Sequence, residues 1–189
     1  APLWASSLPA GRRCLHLIGH SFGSRLLTSA VLGGVRPHSL TLLQAPFSAF
    51  AFAGEVPGSG QPGLYNRILA SRHAGRIVAV RSTNDPALAT LYSPPSHLDR
   101  PGHRGRTRHV VASSAMGAAG ARGVGAPEVE IREAQRLGLP LRPVVNVDAS
   151  ALIRAHDEIL HPHIANIVLM AAGLLVGGPD GLRPPPEGS

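Results

Sequence analysis

The sequence predicts an α/β fold: a parallel sheet of about four strands flanked by helices. Three observations carry that expectation. Apolar runs of strand length recur at residues 14–18, 39–43, 76–80 and 143–147. The first run leads, through a glycine-rich turn, into a helical pattern that stops at Gly33-Gly34, and the last precedes an apolar run of helix length. Strands that alternate with helices form crossover units, which set neighbouring strands parallel.

Taken in order, residues 14–18 read as a short buried strand, mostly apolar with one polar interruption at His16. Gly19-His20-Ser21-Phe22-Gly23 follows at once, and residues 24–32 read as a helix. Residues 39–43 are the second strand, closed by the turn Gln44-Ala45-Pro46. Between residues 47 and 75, a Gly/Pro-rich loop at 54–63 precedes a short amphipathic helix at 64–70. Residues 76–80 form the third strand, rich in β-branched side chains, which leads into the turn-forming loop 81–86 with one carboxylate, Asp85. Residues 143–147 are the fourth strand. His156 lies beyond it, just before a helix expected over residues 162–175.

The pattern Gly-x-Ser-x-Gly at residues 19–23 is that of a nucleophile elbow, a sharp strand-to-helix turn that leaves a serine oxygen exposed. Gly19 and Gly23 are expected to let two backbones approach closely around the strained serine. In this context the chain resembles the α/β-hydrolase superfamily, whose triad runs Ser, then Asp or Glu, then His, each after a strand. The resemblance implies Ser21 as nucleophile, Asp85 as acid and His156 as base. Residues 156–162 are similar to the family segment in which the catalytic histidine comes just before the last helix and a His-Pro pair follows. The resemblance also implies an oxyanion hole that uses the Phe22 N–H, an acyl substrate of small-molecule type, and neither metal nor cofactor.

It covers nearly the whole chain but only the second half of the family's fold. Residues 1–176 are therefore expected to be the carboxyl-terminal half of such a domain, with residues 1–13 as the tail of a preceding helix. The family's early strands and the loop that gives the second oxyanion donor are not seen, so catalysis is expected to be impaired if that half is truly absent. Residues 177–189, with Pro184-Pro185-Pro186, are expected to be unstructured. A non-catalytic hydrolase-like module is the alternative function.

Rival readings exist for each site residue. Ser21 could be an ordinary helix N-cap, and Asp85 a turn residue paired with Asn84, with Asp99 a distant alternative acid. His161 and His163 compete with His156. Asp157-Glu158-x-x-His161 differs from a zinc-binding helix motif at one position, but Pro162 disfavours helix at His161. Phe47, Phe50, Phe52 and Leu64 could line an acyl pocket or simply cover the sheet. The short insertion that carries them suits a small or open site.

Composition narrows the partners. The net charge of +7 comes from 18 arginines and no lysine, scattered among Ala, Gly and Pro, which argues against a nucleic-acid binder. One basic cluster, Arg100, Arg104, Arg106 and Arg108 interleaved with His97, His103 and His109, reads as a solvated loop. A single cysteine, Cys14, precludes an intrachain disulfide, and no run reaches the length of a membrane span. No signal peptide is visible, and a cytoplasmic location is expected. Oligomeric state is not legible.

Overall fold

The computed structural model describes residues 14–91, 114–178 and 182–184. Five strands form one sheet: β1 (His16–His20), β2 (Ser39–Leu43), β3 (Arg76–Arg81), β4 (Glu128–Glu130) and β5 (Val144–Asp148), in the order β1-β2-β3-β5-β4. Every neighbouring pair is parallel. The α/β class and the parallel sheet are as the sequence predicts, with one strand more than expected. That extra strand, β4, has only three residues, two of them glutamates, and pairs with β5 at the sheet edge.

Among the described residues the helices are α1 (Phe22–Leu32), α2 (Asn66–Ala70), α3 (Pro86–Leu91), α4 (Met116–Ala119), α5 (Ile131–Leu137) and α6 (Pro162–Ala171). Helix α6 ends four residues before the expected boundary. Its start is set by Pro162 in the first turn and by His161, whose ring accepts the His163 N–H. Beyond α6, Val176 and Arg183 exchange two backbone hydrogen bonds, so part of the segment expected to be unstructured folds back on the domain.

Alternation along the central strands builds two cores. Val78, Val80, Val145 and Val147 point to one face and meet Ile131 and Ala134 of α5 and Ile164, Ile167 and Met170 of α6. Leu40, Leu42, Ile77 and Ala79 point to the other, against Val31 of α1, Ile68 of α2 and Met116 of α4. A parallel sheet needs both faces covered, and these strands are accordingly apolar at nearly every position. Each fully buried Val, Leu or Ile contributes about 1.5–3 kcal/mol.

β1 is not buried as its apolar run alone suggests, but it is the exposed edge expected of a nucleophile strand whose earlier neighbours are not seen. It lies at the sheet edge, Ile18 is 49% exposed, and Cys14 is exposed and precedes the strand. One neighbouring strand cannot bury both sides of a short run. Among the described residues, no helix is long and apolar enough to cross a membrane.

Candidate active site

Ser21 is the single residue between β1 and α1. To reverse the chain in one step it adopts φ 51° and ψ −129°, a conformation that costs a non-glycine residue about 1–3 kcal/mol. Its neighbours hold it there. The Ser21 N–H donates to the Leu43 carbonyl at 3.0 Å, and its own carbonyl accepts from the Ser24 N–H at 2.9 Å. The buried Ser24 hydroxyl donates to the Gly19 carbonyl at 2.6 Å. Gly19 is required by contact: a Cβ there would lie 2.6 Å from the Ser24 Cα and amide nitrogen. Gly23 is not, since a Cβ would meet nothing within 4 Å. The expected need for a second glycine is thus corrected, because the close approach is made by Gly19 alone.

Although Ser21 occupies the N-cap position of α1, its side chain makes no capping hydrogen bond. Its Oγ instead lies 2.7 Å from Nε2 of His156. Nδ1 of His156 lies 2.6 Å from Oδ2 of Asp85. A carboxylate facing Nδ1 assigns the ring proton to that nitrogen, which leaves Nε2 to accept the Ser21 hydroxyl proton. Ser21 and His156 are half-buried, whereas Asp85 is 2% exposed.

Asp85 divides its oxygens. Oδ1 accepts from the Ala87 and Leu88 amides at 3.0 and 3.3 Å, in the first turn of α3, while Oδ2 accepts from His156 and from the Gln44 side chain. It is a turn residue as well, but its partners are not Asn84, whose amide donates to the Ser150 carbonyl at 2.7 Å.

Asp85 and His156 meet because the loops after β3 and β5 are stitched together. The Ser82 hydroxyl donates to the Ile153 carbonyl at 2.6 Å, and the Thr83 N–H donates to Ser150 Oγ at 3.0 Å. Just before His156, the Glu158 carboxylate accepts from the Arg154 and Ala155 amides at 2.7 and 3.2 Å, closing a turn.

Beside the site, at the ends of β3 and β5, Arg81 lies between Glu128 and Asp148. Burial opposes the Asp148 charge, yet hydrogen bonds from Ser150 and the Arg81 guanidinium hold its carboxyl below the ordinary carboxylate range. This cluster braces the sheet edge, because Arg81 and Asp148 are register partners and Glu128 opens β4.

The rival histidines have other partners. His161 caps α6, and His163 bonds the Gln135 side chain and stacks on His161 at 5.0 Å. Residues 157–161 do not form the helix that a zinc motif would need, and among the described residues no group of three metal-ligating side chains converges.

The acyl-pocket expectation is not carried by the packing. Phe47 and Phe52 are 4% and 1% exposed and meet Tyr65 in the core, and Phe50, 7% exposed, sits in a small cluster with Ala49 and Ala53. Phe47 and Phe52 are spent covering the sheet, while Phe50 packs in that separate loop cluster. Leu64 is exposed. Asp99, the arginine cluster at residues 100–108 and its three histidines lie outside the described residues.

Two residues that sequence reasoning did not single out touch this site. Gln44 donates to Asp85 Oδ2 at 2.8 Å, and His20 Nε2 lies 2.7 Å from the His156 carbonyl oxygen. Comparison with protein-family models, curated proteins and solved structures finds no match for this chain.

Proposed function

We propose that the chain is a serine hydrolase of the α/β-hydrolase type, acting on an ester, thioester or related acyl substrate. The observation that carries this reading is the unbroken line from Ser21 Oγ through the His156 ring to the Asp85 carboxylate, at 2.7 and 2.6 Å. The backbone at Ser21 supports it, because strain of this kind is retained where a side chain must be presented.

In the first half-reaction, Ser21 Oγ attacks the substrate carbonyl carbon as its proton passes to His156 Nε2. Asp85 holds the ring in the tautomer that can accept that proton and stabilises the imidazolium. Oxyanion charge develops next to the Phe22 N–H, at the start of α1, where helical amides lack an internal acceptor and the helix dipole favours negative charge. The leaving alcohol or thiol takes the proton from Nε2. Water then attacks the acyl-serine, giving its proton to Nε2, and Ser21 recovers a proton as the acid departs.

A small-molecule acyl substrate and a cytoplasmic location belong to the same proposal. The test is a fluorophosphonate probe, which forms a stable bond only with an activated serine. Labelling at Ser21, together with hydrolysis of short acyl esters, supports the reading. A folded chain that takes no label is the non-catalytic module instead.

A further inference from the structure

The carbonyl oxygens of two consecutive residues, Ala155 and His156, are each held by a side chain from a different strand end. His20, the last residue of β1, donates from Nε2 to the His156 carbonyl at 2.7 Å, with the two rings 5.0 Å apart. Gln44, directly after β2, places Nε2 3.3 Å from the Ala155 carbonyl and 2.8 Å from Asp85 Oδ2. Both of those atoms are acceptors, which fixes the orientation of the Gln44 amide. Its Oε1 is buried without a hydrogen-bond partner among the described residues.

Gln44 is fully buried and has φ 48°, in the left-handed region that a glutamine seldom adopts. Its backbone is pinned from two sides. The Gln44 N–H donates to the Val80 carbonyl at 3.1 Å. Gly117 of α4 comes so close that a Cβ there would lie 2.4 Å from the Gln44 carbonyl carbon. A strained backbone and an unpartnered amide oxygen are both unfavourable, and both serve to aim one NH2 group at the acid and at the loop carrying the base.

We propose that Gln44 is the positioning residue of this site, acting through Asp85 and His156, with His20 as a second tether on the same loop. The inference rests on the triad reading above. Oδ2 of Asp85 is shared by two donors, Gln44 and His156. Gln44 sets the plane of the carboxylate so that Oδ2 faces Nδ1. Its second proton, on the Ala155 carbonyl, stops the loop from carrying the ring away from Ser21. Among the described residues, the side chains in contact with the His156 ring are Asp85, Ser21 and His20.

The test follows the His156 ring by NMR titration, and fluorophosphonate labelling in parallel, in the full chain and in Gln44→Leu and Gln44→Glu. Losing the Gln44 donor leaves His156 alone to balance Oδ2, so the imidazolium is favoured and the midpoint of the ring moves up. An added carboxyl in Gln44→Glu moves it in the same direction. Labelling at neutral pH should fall about tenfold or more in Gln44→Leu with far-UV circular dichroism unchanged. Folded variants whose His156 midpoint and labelling stay within about twofold of the parent would overturn the proposal, because a merely structural glutamine changes stability alone. If neither variant folds, the parent decides. Its Gln44 side-chain amide signals should shift with the same midpoint as the His156 ring, and signals that do not move overturn the proposal. A moved midpoint in a chain that never labels retains the positioning role and removes the hydrolase reading. Labelling with an unmoved midpoint does the reverse.

Discussion

Gly19 lies directly beneath Ser24, so close that any side chain on it would collide with the Ser24 backbone at 2.6 Å. Backbone cannot swing aside as the end of a flexible side chain can. Gly19→Ala should therefore push α1 away from β1, lower stability by about 1–3 kcal/mol and misplace Ser21. Gly23 sits in the first turn of α1 with open space around it. Gly23→Ala should leave the site intact and stabilise the chain by about 0.4–1 kcal/mol. Paired thermal melts of the two variants check both signs.

Asp85 allows the cap and the ring contact to be varied apart, since Oδ1 serves α3 and Oδ2 faces His156 and Gln44. Asp85→Asn keeps an oxygen for the α3 cap, but its NH2 faces the Gln44 donor, so it should cost about 1–3 kcal/mol. Its amide can donate to His156 Nδ1 and so favours the wrong tautomer, which should lower turnover by about 10⁴-fold. Asp85→Ala loses the cap as well, at about 1 kcal/mol more. Calorimetry and esterase assays on the same two variants test the division.

Much of this layout is legible in the sequence, for local reasons. The elbow is readable because its flanks have the right periodicities. β2, β3 and β5 are readable because strands buried on both faces are apolar throughout. β4 is not, since Glu128-Val129-Glu130 has neither the length nor the pattern of a strand and owes its place to β5 and Arg81. Residues 14–18 look buried as an apolar run, and their edge position follows only from the missing early strands that the family resemblance implies. For Phe47 the sequence leaves open pocket or sheet cover, and only the fold shows the ring packed in the core, since closeness to Ser21 in sequence does not fix which way a side chain faces. Gln44 looks like an ordinary turn residue, and its contacts with Asp85 and Ala155, 41 and 111 residues away, exist only in the folded chain.

The Arg81 cluster makes stability depend on pH. The Asp148 carboxyl is held below its unfolded value, which is about 3.9. A depressed pKa contributes stability that is present above the unfolded value and is lost as pH falls through the folded one. Asp148→Asn should therefore be less stable than the parent near neutral pH, by about 1 kcal/mol or less because the carboxylate is partly solvated. The gap should close below about pH 4. Chemical denaturation across pH measures it.

The edge position of β1 predicts a solubility effect. Ile18 projects an apolar side chain from a strand with one partner among the described residues, and Phe22 and Leu26 of α1 are exposed as well. Ile18→Lys should change stability by no more than about 0.5 kcal/mol. It should also reduce self-association in size-exclusion chromatography, because a charge on an edge strand blocks pairing with another chain.

The most direct test of the central proposal is the site of fluorophosphonate attachment, read by peptide mass spectrometry in the full chain and in Ser21→Ala. The proposal predicts a single modified residue, Ser21, with labelling abolished in Ser21→Ala and nearly abolished in His156→Ala, since nucleophile and base act as one unit. Circular dichroism should show the fold retained in both variants. Labelling that persists in Ser21→Ala, or a folded parent chain that takes no label at all, would contradict it.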